Sequence, residues 1–244
     1  MRCVCFLLIL VVLSSCQEKR KQEREAVGRT VAPDSISTTE PDVKKLVINH
    51  CDSISFPEDI SVDIAQKIAP ITRGWFKYYG LKMTDFKYTG CNNFELYDRY
   101  SHPMDSLDTN LKTDVKRNIY SYSPPDKKKY IDIYFYTHYD ERRKTIVFDG
   151  EVDQLVWLYD LENRMGYVIQ SWGPSGACED VAWIDNDRFV LLENTSDGLF
   201  IIDIFDIRKK VIASYTSELE GKEFYGGYYL YNAKKKGILE PIYD

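Results

Sequence analysis

The chain has 244 residues, enough for one large domain or two small ones once a leader is removed. Its formal net charge of −6 argues against a nucleic-acid-binding protein, because such proteins present a basic face to phosphates. Hydrophobic residues at 44% and charged residues at 29% are typical of a soluble globular body.

The first residues have the pattern of an export signal. Arg2 gives a positive start, and an apolar run of ten residues follows at positions 4–13. A helix that spans a bilayer needs about twenty residues, so this run is too short for such a span. Residues 1–15 are therefore predicted to be a secretory signal peptide, with Cys16 directly after it.

The run Leu13-Ser14-Ser15-Cys16 resembles a bacterial lipobox. The resemblance implies that the Cys16 thiol carries a diacylglycerol and that a third chain, such as palmitate, joins its new amino terminus. Each buried methylene contributes about 0.8 kcal/mol, so these chains would hold the protein firmly to a membrane. The alternative is an ordinary signal peptide with a chance cysteine at its end.

Serine before the cysteine is most similar to the lipoproteins of Bacteroidetes. That resemblance implies a bacterial cell envelope. Gln17 stands where Asp would signal inner-membrane retention, which implies the outer membrane. The charges after Cys16 are mixed, whereas surface-export signals of that phylum are acidic, so the periplasmic face is favoured over the cell surface.

Residues 16–45 are predicted to be the lipidated cysteine and a flexible tether. The segment mixes both charges at 17–25 and is rich in Ser, Thr and Pro at 33–41. Neither composition buries enough apolar surface to offset the entropy of ordering the chain.

Residues 46–118 are predicted to be a small α+β part. One amphipathic helix is expected at 58–72, ending before Gly74, because apolar residues recur there at helical spacing: Ile60, Ile64, Ile68 and Ile71. Around it, the composition indicates short strands at 46–48, 86–88 and 94–97, and a polar loop at 101–118.

Residues 119–244 are predicted to be β-rich, and the whole fold to be α+β, mostly β, with antiparallel meander sheets. The segment 130–136 alternates cleanly, with apolar residues on one face. Short intervals of turn residues separate the other predicted strands, at 145–148, 154–160, 165–170, 181–184, 188–193, 199–206, 211–215 and 228–231. The residues expected to be buried on sheet faces are Ile131, Ile133, Phe135, Val156, Leu158, Val190, Leu192, Ile202 and Ile204.

Two stretches of this part share a weak repeat. The segments 157–161 and 203–207 each lead into a polar turn and an apolar strand, and Asp-containing turns precede them near 126 and 185. The pattern resembles β-propeller blades over about residues 119–215. It covers roughly two blades, whereas closed propellers have at least about four, so a generic antiparallel meander is the alternative.

The cysteines and histidines give little indication of a metal site or a catalytic site. Cys51, Cys91 and Cys178 remain after the signal peptide and the lipobox, which allows one disulfide at most and leaves its pairing open. Their spacing matches no zinc site, so neither a metal nor a cofactor is predicted. A thiol enzyme could combine Cys178 with His138 and Glu179, but Cys178 also fits a small buried apolar residue.

Nineteen tyrosines and four tryptophans exceed the needs of a core of this size. One face of the predicted strand at 130–136 is lined by tyrosine, and aromatic clusters occur at 75–79 and 224–231. Tyrosine suits sugar rings and protein partners, although aromatic residues also simply favour pleated sheets. The candidate contact residues are Trp75, Tyr134, Tyr136 and Tyr228.

Taken together, these features predict a non-catalytic envelope lipoprotein, a membrane-tethered binding module for a protein or glycan. One alternative is a hydrolase or thiol enzyme with its site near Cys178 and His138. Another is a structural or immunity-type envelope component.

Overall fold

The computed structural model describes residues 49–94, 96, 101–103, 122–140, 142–148, 153–218 and 227–239, all within one compact unit, Val47–Asp244. The predicted signal peptide, Cys16, the tether and the predicted strand at 46–48 lie outside these ranges. Within them, no helix has both the length and the apolar composition of a membrane span.

The described residues form two helices, α1 (Val62–Tyr79) and α2 (Gly227–Lys235), two 3₁₀ turns (His50–Ser53 and Met83–Asp85) and a set of strands. The strands are β1 (Lys87–Asn93), β2 (Ser101–Pro103), β3 (Lys129–Asp132), β4 (Thr137–Asp140), β5 (Thr145–Phe148), β6 (Gln154–Asp160), β7 (Met165–Trp172), β8 (Gly176–Trp183), β9 (Arg188–Thr195), β10 (Leu199–Asp206), β11 (Val211–Glu218) and β12 (Ile238–Leu239).

These strands make three sheets, in the orders β1-β11-β10-β9-β8, β2-β7-β6-β3 and β12-β5-β4. Within the described part of the chain, the strand pairs are antiparallel except for the short β12–β5 pair. The predicted α+β, mostly β fold is therefore confirmed. β1, from the predicted amino-terminal part, pairs with β11 of the predicted β-rich part, so the two parts share a sheet.

Three hairpin turns share one chemistry. Asp140, Asp160 and Asp206 end their strands, and each side chain accepts backbone N–H groups two or three residues ahead. Four residues after each aspartate lies a basic residue with positive φ, the last being Lys210. Such Asx turns are set locally, which explains why β5, β6 and β10 have their predicted bounds.

The five-stranded sheet separates two hydrophobic clusters because its residues alternate between its faces. Val190 and Leu192 join α1 in the first cluster, while Phe189 and Leu191 join β3 and β6 in the second. Eight of the nine residues predicted to be buried are buried, and Phe135 is half-buried. The eight are Ile131, Ile133, Val156, Leu158, Val190, Leu192, Ile202 and Ile204.

Helix α1 lies further along the chain than predicted. The Ser61 side chain accepts the N–H of Ile64 at its start, and Gly80, with φ 73°, ends it. The predicted end before Gly74 is wrong, because Trp75 and Tyr79 extend the buried stripe to the last turn. Ile71, which belongs to the helical spacing seen in the sequence, is 47% exposed.

Other predicted strands are corrected. The segment 130–136 is not one strand: β3 ends at Asp132, whose side chain accepts the Tyr134 N–H at 2.7 Å and bends the chain. Residues 228–231 are helical, not extended. Phe94 lies outside any strand, and the predicted loop at 101–118 contains β2, which pairs with β7.

The cysteine pairing left open by the sequence is Cys51–Cys91, and Cys178 is a buried free thiol. The disulfide joins the turn before α1 to the strand after it, across 40 residues of chain. It therefore closes a loop around the helix.

Candidate recognition surface

Three of the four predicted contact residues are inside the protein. Trp75 and Tyr228 lie in the first cluster and Tyr134 in the second, each at most 5% exposed, while Tyr136 is half-buried. A buried ring cannot meet a partner at the surface, so the assignment of Trp75, Tyr134 and Tyr228 as contact residues is corrected. Tyr134 is buried because the chain bends after Asp132. The bend ends the strand, so the alternation of inward and outward side chains that predicted an exposed Tyr134 does not continue to this residue.

The other aromatic residues of that segment stack against the outer side of the four-stranded sheet. The Tyr130 and Tyr159 ring centroids lie 4.5 Å apart, and Phe135 stacks on Trp157 at 4.9 Å. Tyr130, Trp157 and Tyr159 are all buried. Of the two explanations for the aromatic content, a binding surface or the preference of aromatic residues for pleated sheets, these rings fit the second.

The most polar region of the interior lies at a bulge in β8, where Glu179 interrupts the pairing with β9. Glu179 Oε2 accepts the Trp75 Nε1–H at 2.8 Å, and Oε1 accepts the Tyr79 hydroxyl at 2.7 Å. Oε1 also accepts the backbone N–H groups of Tyr228 and Tyr229, in the first turn of α2. One buried carboxylate thus joins β8 to both helices.

Burial raises the pKa of Glu179 to about 7, although the hydrogen bonds from Tyr79 and Trp75 act in the opposite direction. The helix N-terminus of α2 also favours a negative charge. Burial likewise raises the pKa of Tyr79, with the neighbouring carboxylate adding to the effect.

Asp180 makes the second half of this polar cluster. Burial raises the pKa of Asp180, while the charge of Lys236 just beyond α2 and the hydroxyls of Tyr122 and Tyr228 act in the opposite direction. Burial lowers the pKa of Lys236 to about 8, opposed by the charge of Asp180. The Lys236 ammonium lies 4.1 Å from the Tyr122 ring centroid and donates to its hydroxyl. Glu179 and Asp180 together therefore hold α2 near both its ends.

A second buried acidic pair, Glu193 and Asp203, lies on the opposite face of the sheet. Glu193 accepts the Trp172 Nε1–H at 3.0 Å. Burial raises the pKa of both carboxyls, to about 6 for Asp203, and the charge of Asp203 adds to the shift of Glu193. The described residues contain no group of three or more His, Cys, Asp or Glu side chains that could hold a metal ion.

The residues of the thiol-enzyme alternative are not brought together. The Cys178 side chain belongs to the second cluster, whereas Glu179 contacts α1 and α2 at the first. His138 is exposed on β4, while Cys178 is fully buried. Burial raises the pKa of the Cys178 thiol, which disfavours the nucleophilic thiolate.

An exposed aromatic surface does exist, one helical turn from the predicted residues. We define the helical face as the exposed side chains of α1 from Ile71 to Tyr78 and of α2 from Leu230 to Lys235. Tyr78 and Tyr231 are 43% and 44% exposed, and their ring centroids lie 5.3 Å apart. Their adjacency depends on the close crossing of the two helices.

Two glycines permit that crossing. A Cβ on Gly227 would lie 3.0 Å from the Tyr78 hydroxyl, and one on Gly74 would lie 2.5 Å from the Tyr228 hydroxyl. The tip of Tyr78 therefore rests against α2.

The helical face is also basic. Arg73, Lys77, Lys234 and Lys235 are exposed on it, and the sequence has no Asp or Glu at 64–84 or 227–239. Among the described residues, Arg73, Lys77 and Lys235 have no carboxylate partner. The helical face is therefore positively charged, although the chain as a whole has a net charge of −6.

A charged cleft of about 340 Å³ makes a useful contrast. Its cations are paired within the cleft itself: Arg188 with Asp185, and Arg208 with Asp187. Cations already neutralised by neighbours attract a ligand less than unpaired ones do. The lining residues are Asp185, Asn186, Asp187, Arg188, Asp206, Arg208 and Lys209.

Comparisons of the chain with protein-family models, curated proteins and solved structures found no match. The resemblances to lipoproteins and to propeller blades stay predictions. Function is therefore inferred from the geometry of the described residues.

Proposed function

We propose that this chain is a non-catalytic, lipid-anchored envelope protein whose body binds a protein or glycan partner through the helical face. The observation that carries the proposal is the pair of adjacent, half-exposed rings of Tyr78 and Tyr231 at the crossing of two helices. Aromatic side chains of this kind are enriched at recognition sites because a large contact area is ordered at small entropic cost.

Rigidity supports the same role. Glu179 holds both helices from inside, so the outer rings are positioned before a partner arrives. Preorganisation of this kind reduces the entropic cost of association. A tether to the membrane raises the effective concentration of the body near envelope partners, so a modest intrinsic affinity suffices.

The disulfide supports an envelope location. Disulfides persist mainly in oxidising compartments outside the cytoplasm. With Cys16 acylated and Cys51 bridged to Cys91, the mature chain should expose one thiol to maleimide when denatured and three after reduction. Three thiols before reduction would contradict the location.

Lipidation at Cys16 is tested on the mature amino terminus. Mass spectrometry should find acyl chains on this residue, and Cys16→Ala should release the body or block processing. Cleavage at another residue, or an unmodified Cys16, would contradict the proposed lipid attachment.

Recognition is tested by photo-crosslinking in producing cells. Benzoylphenylalanine replaces Tyr78 or Tyr231 in the full chain, and Lys67, exposed about three turns earlier on α1 than Tyr78, is the matched control position. We expect discrete adducts from positions 78 and 231 and none from position 67. Equal adducts at all three positions, or none at any, would contradict recognition by this face.

A further inference from the structure

We propose that the helical face lies on the anionic phospholipid surface of the membrane while no partner is bound to it. The inference rests on the lipid anchor of the proposed function, and it adds a membrane contact that a partner must displace.

Exposed apolar side chains are concentrated on the two helices. Of the six large apolar side chains that are clearly exposed among the described residues, five lie on α1 or α2. Ile71 is 47% exposed and Leu230 is 41% exposed, which are values close to those of Tyr78 and Tyr231. Side chains of this kind gain free energy when they leave water for the boundary between the headgroups and the acyl chains.

These four side chains belong to one continuous apolar patch. Ile71 and Tyr78 are seven residues apart, which places them two turns apart on the same side of α1. The Tyr78 ring centroid lies 5.3 Å from that of Tyr231, and Leu230 is the exposed residue before Tyr231 on α2. The patch therefore extends across both helices, as contact with an extended surface requires.

Lysine side chains border the apolar patch. Lys235 Nζ lies 4.9 Å from the Tyr231 ring centroid, and Lys234 is exposed one turn after Leu230 on α2. A lysine side chain can bury its carbon stem in the interface while its ammonium group stays among the headgroups. The sequence has no Asp or Glu at 64–84 or 227–239 that would oppose the contact, although the chain as a whole is acidic. Anionic lipids are therefore attracted to this side of the protein.

A membrane is favoured over other occupants of the free face. Cys16 and Asn49 are 33 positions apart, so the anchor keeps the body within about 120 Å of the membrane even at full extension. Tethering raises the effective concentration of the surface to which the body is tied. Tyrosine is also enriched where proteins meet the headgroup level of a bilayer. A second copy of the chain would instead bring two basic faces together, which like charges oppose.

The test uses the full mature chain, reconstituted into vesicles through its acylated Cys16. Leu230→Cys carries a bimane fluorophore, and Glu162→Cys, exposed in the turn between β6 and β7, is the matched control position. The disulfide cysteines and the buried Cys178 do not compete for the label. Lipids that carry a nitroxide just below their headgroups quench a fluorophore that enters the interface.

The contact predicts a difference between the two labels and between two kinds of lipid. On vesicles that contain phosphatidylglycerol, we expect quenching at position 230 to be at least about threefold stronger than at position 162. On vesicles of phosphatidylcholine alone, quenching at position 230 should be severalfold weaker, because the attraction to the lysine side chains is lost.

Further variants assign the contact to the helical face. Lys234→Gln combined with Lys235→Gln should reduce quenching at position 230 severalfold on the anionic vesicles and little on the neutral ones. Arg208→Gln combined with Lys209→Gln removes the same charge from the charged cleft and should leave quenching unchanged. Tyr231→Ala should reduce quenching on both kinds of vesicle, because it removes apolar contact. Circular dichroism verifies that each variant is folded.

Equal quenching at positions 230 and 162 would overturn the inference, as would equal effects of the two double variants. A chain that the vesicles do not retain would remove the lipid anchor and the inference with it. Shielding of the label at position 230 without vesicles, increasing with the concentration of the chain, would indicate a second copy instead of a membrane.

The crosslinking experiment separates this inference from the recognition role. Partner crosslinks at positions 78 and 231 together with equal quenching at positions 230 and 162 would refute the membrane contact and leave recognition standing. Stronger quenching at position 230 without any partner crosslink would support the membrane contact and contradict recognition of a partner by this face.

Discussion

Helices α1 and α2 carry aromatic residues on both their inner and outer sides, and the two sides differ in what they contact. Inside, Trp75, Tyr79 and the Tyr228 backbone all donate to one carboxylate, Glu179. Outside, Tyr78 and Tyr231 contact each other, and nearly half of each side chain is exposed. The residue type alone therefore does not indicate whether an aromatic side chain stabilises the interior or is exposed. Its hydrogen-bond partners and its position in the helical repeat indicate this.

The inner side should dominate stability. Glu179→Leu removes the acceptor of four N–H and O–H donors, of which the Tyr228 N–H keeps the Tyr79 hydroxyl as a second acceptor. Each of the three donors left unsatisfied in the interior costs at least about 1 kcal/mol, so we expect the free energy of unfolding, measured by urea denaturation, to fall by about 3 kcal/mol or more. Glu179→Gln, which keeps one acceptor oxygen, should lose clearly less. Equal losses would show that shape, not hydrogen bonding, joins the helices to β8.

The same contrast explains what could be predicted from the sequence. The bounds of β5, β6 and β10 depend on alternation and on Asp turns such as Asp160, all within a few residues. The segment 228–231, predicted as a strand from its aromatic content, is helical instead. The first turn of α2 is held by Glu179 through the N–H groups of Tyr228 and Tyr229, 49 and 50 residues later in the chain. A contact over that separation leaves no local pattern.

The candidate site could be predicted only in part. The aromatic clusters at 75–79 and 224–231 do contain the exposed rings, but the residues predicted from them, Trp75 and Tyr228, are the buried ones. The helical period separates the two sides, since Trp75 and Tyr79 share a face that Tyr78 does not. The sequence predicts a helix that ends before Gly74. Helical spacing could therefore not be used to separate buried from exposed residues at 75–79.

The pH dependence of stability is a second property of the inner side. The pKa of Glu179 rises from an ordinary 4.5 to about 7 in the folded chain, so the folded state binds this proton more tightly than the unfolded state. The free energy of unfolding should therefore increase as the pH falls from 8 to 5.5, by about 2 kcal/mol from Glu179. Asp203, with its pKa raised to about 6, acts in the same direction.

Lys236 does not disturb this window. Its pKa of about 8 in the folded chain lies below the ordinary 10.5, so its contribution changes mainly above pH 8. Thermal unfolding monitored by circular dichroism at both pH values is the measurement, and Glu179→Gln should reduce the slope of the profile. A chain that becomes less stable between pH 8 and 5.5 would contradict the assignment of Glu179 as a carboxyl whose ionisation opposes folding.

The smallest effect on stability is expected on the outer side. Tyr231→Ala removes a half-exposed ring, so the free energy of unfolding should change by less than about 1 kcal/mol. Tyr228→Ala, three residues earlier on the same helix, removes a buried ring and should cost about 3 kcal/mol or more. Urea denaturation of the two variants compares the sides directly, while ligand binding should be weakened by Tyr231→Ala without loss of fold. If Tyr231→Ala were as destabilising as Tyr228→Ala, the outer rings would be part of the core. That result would contradict the proposal that the helical face binds a partner.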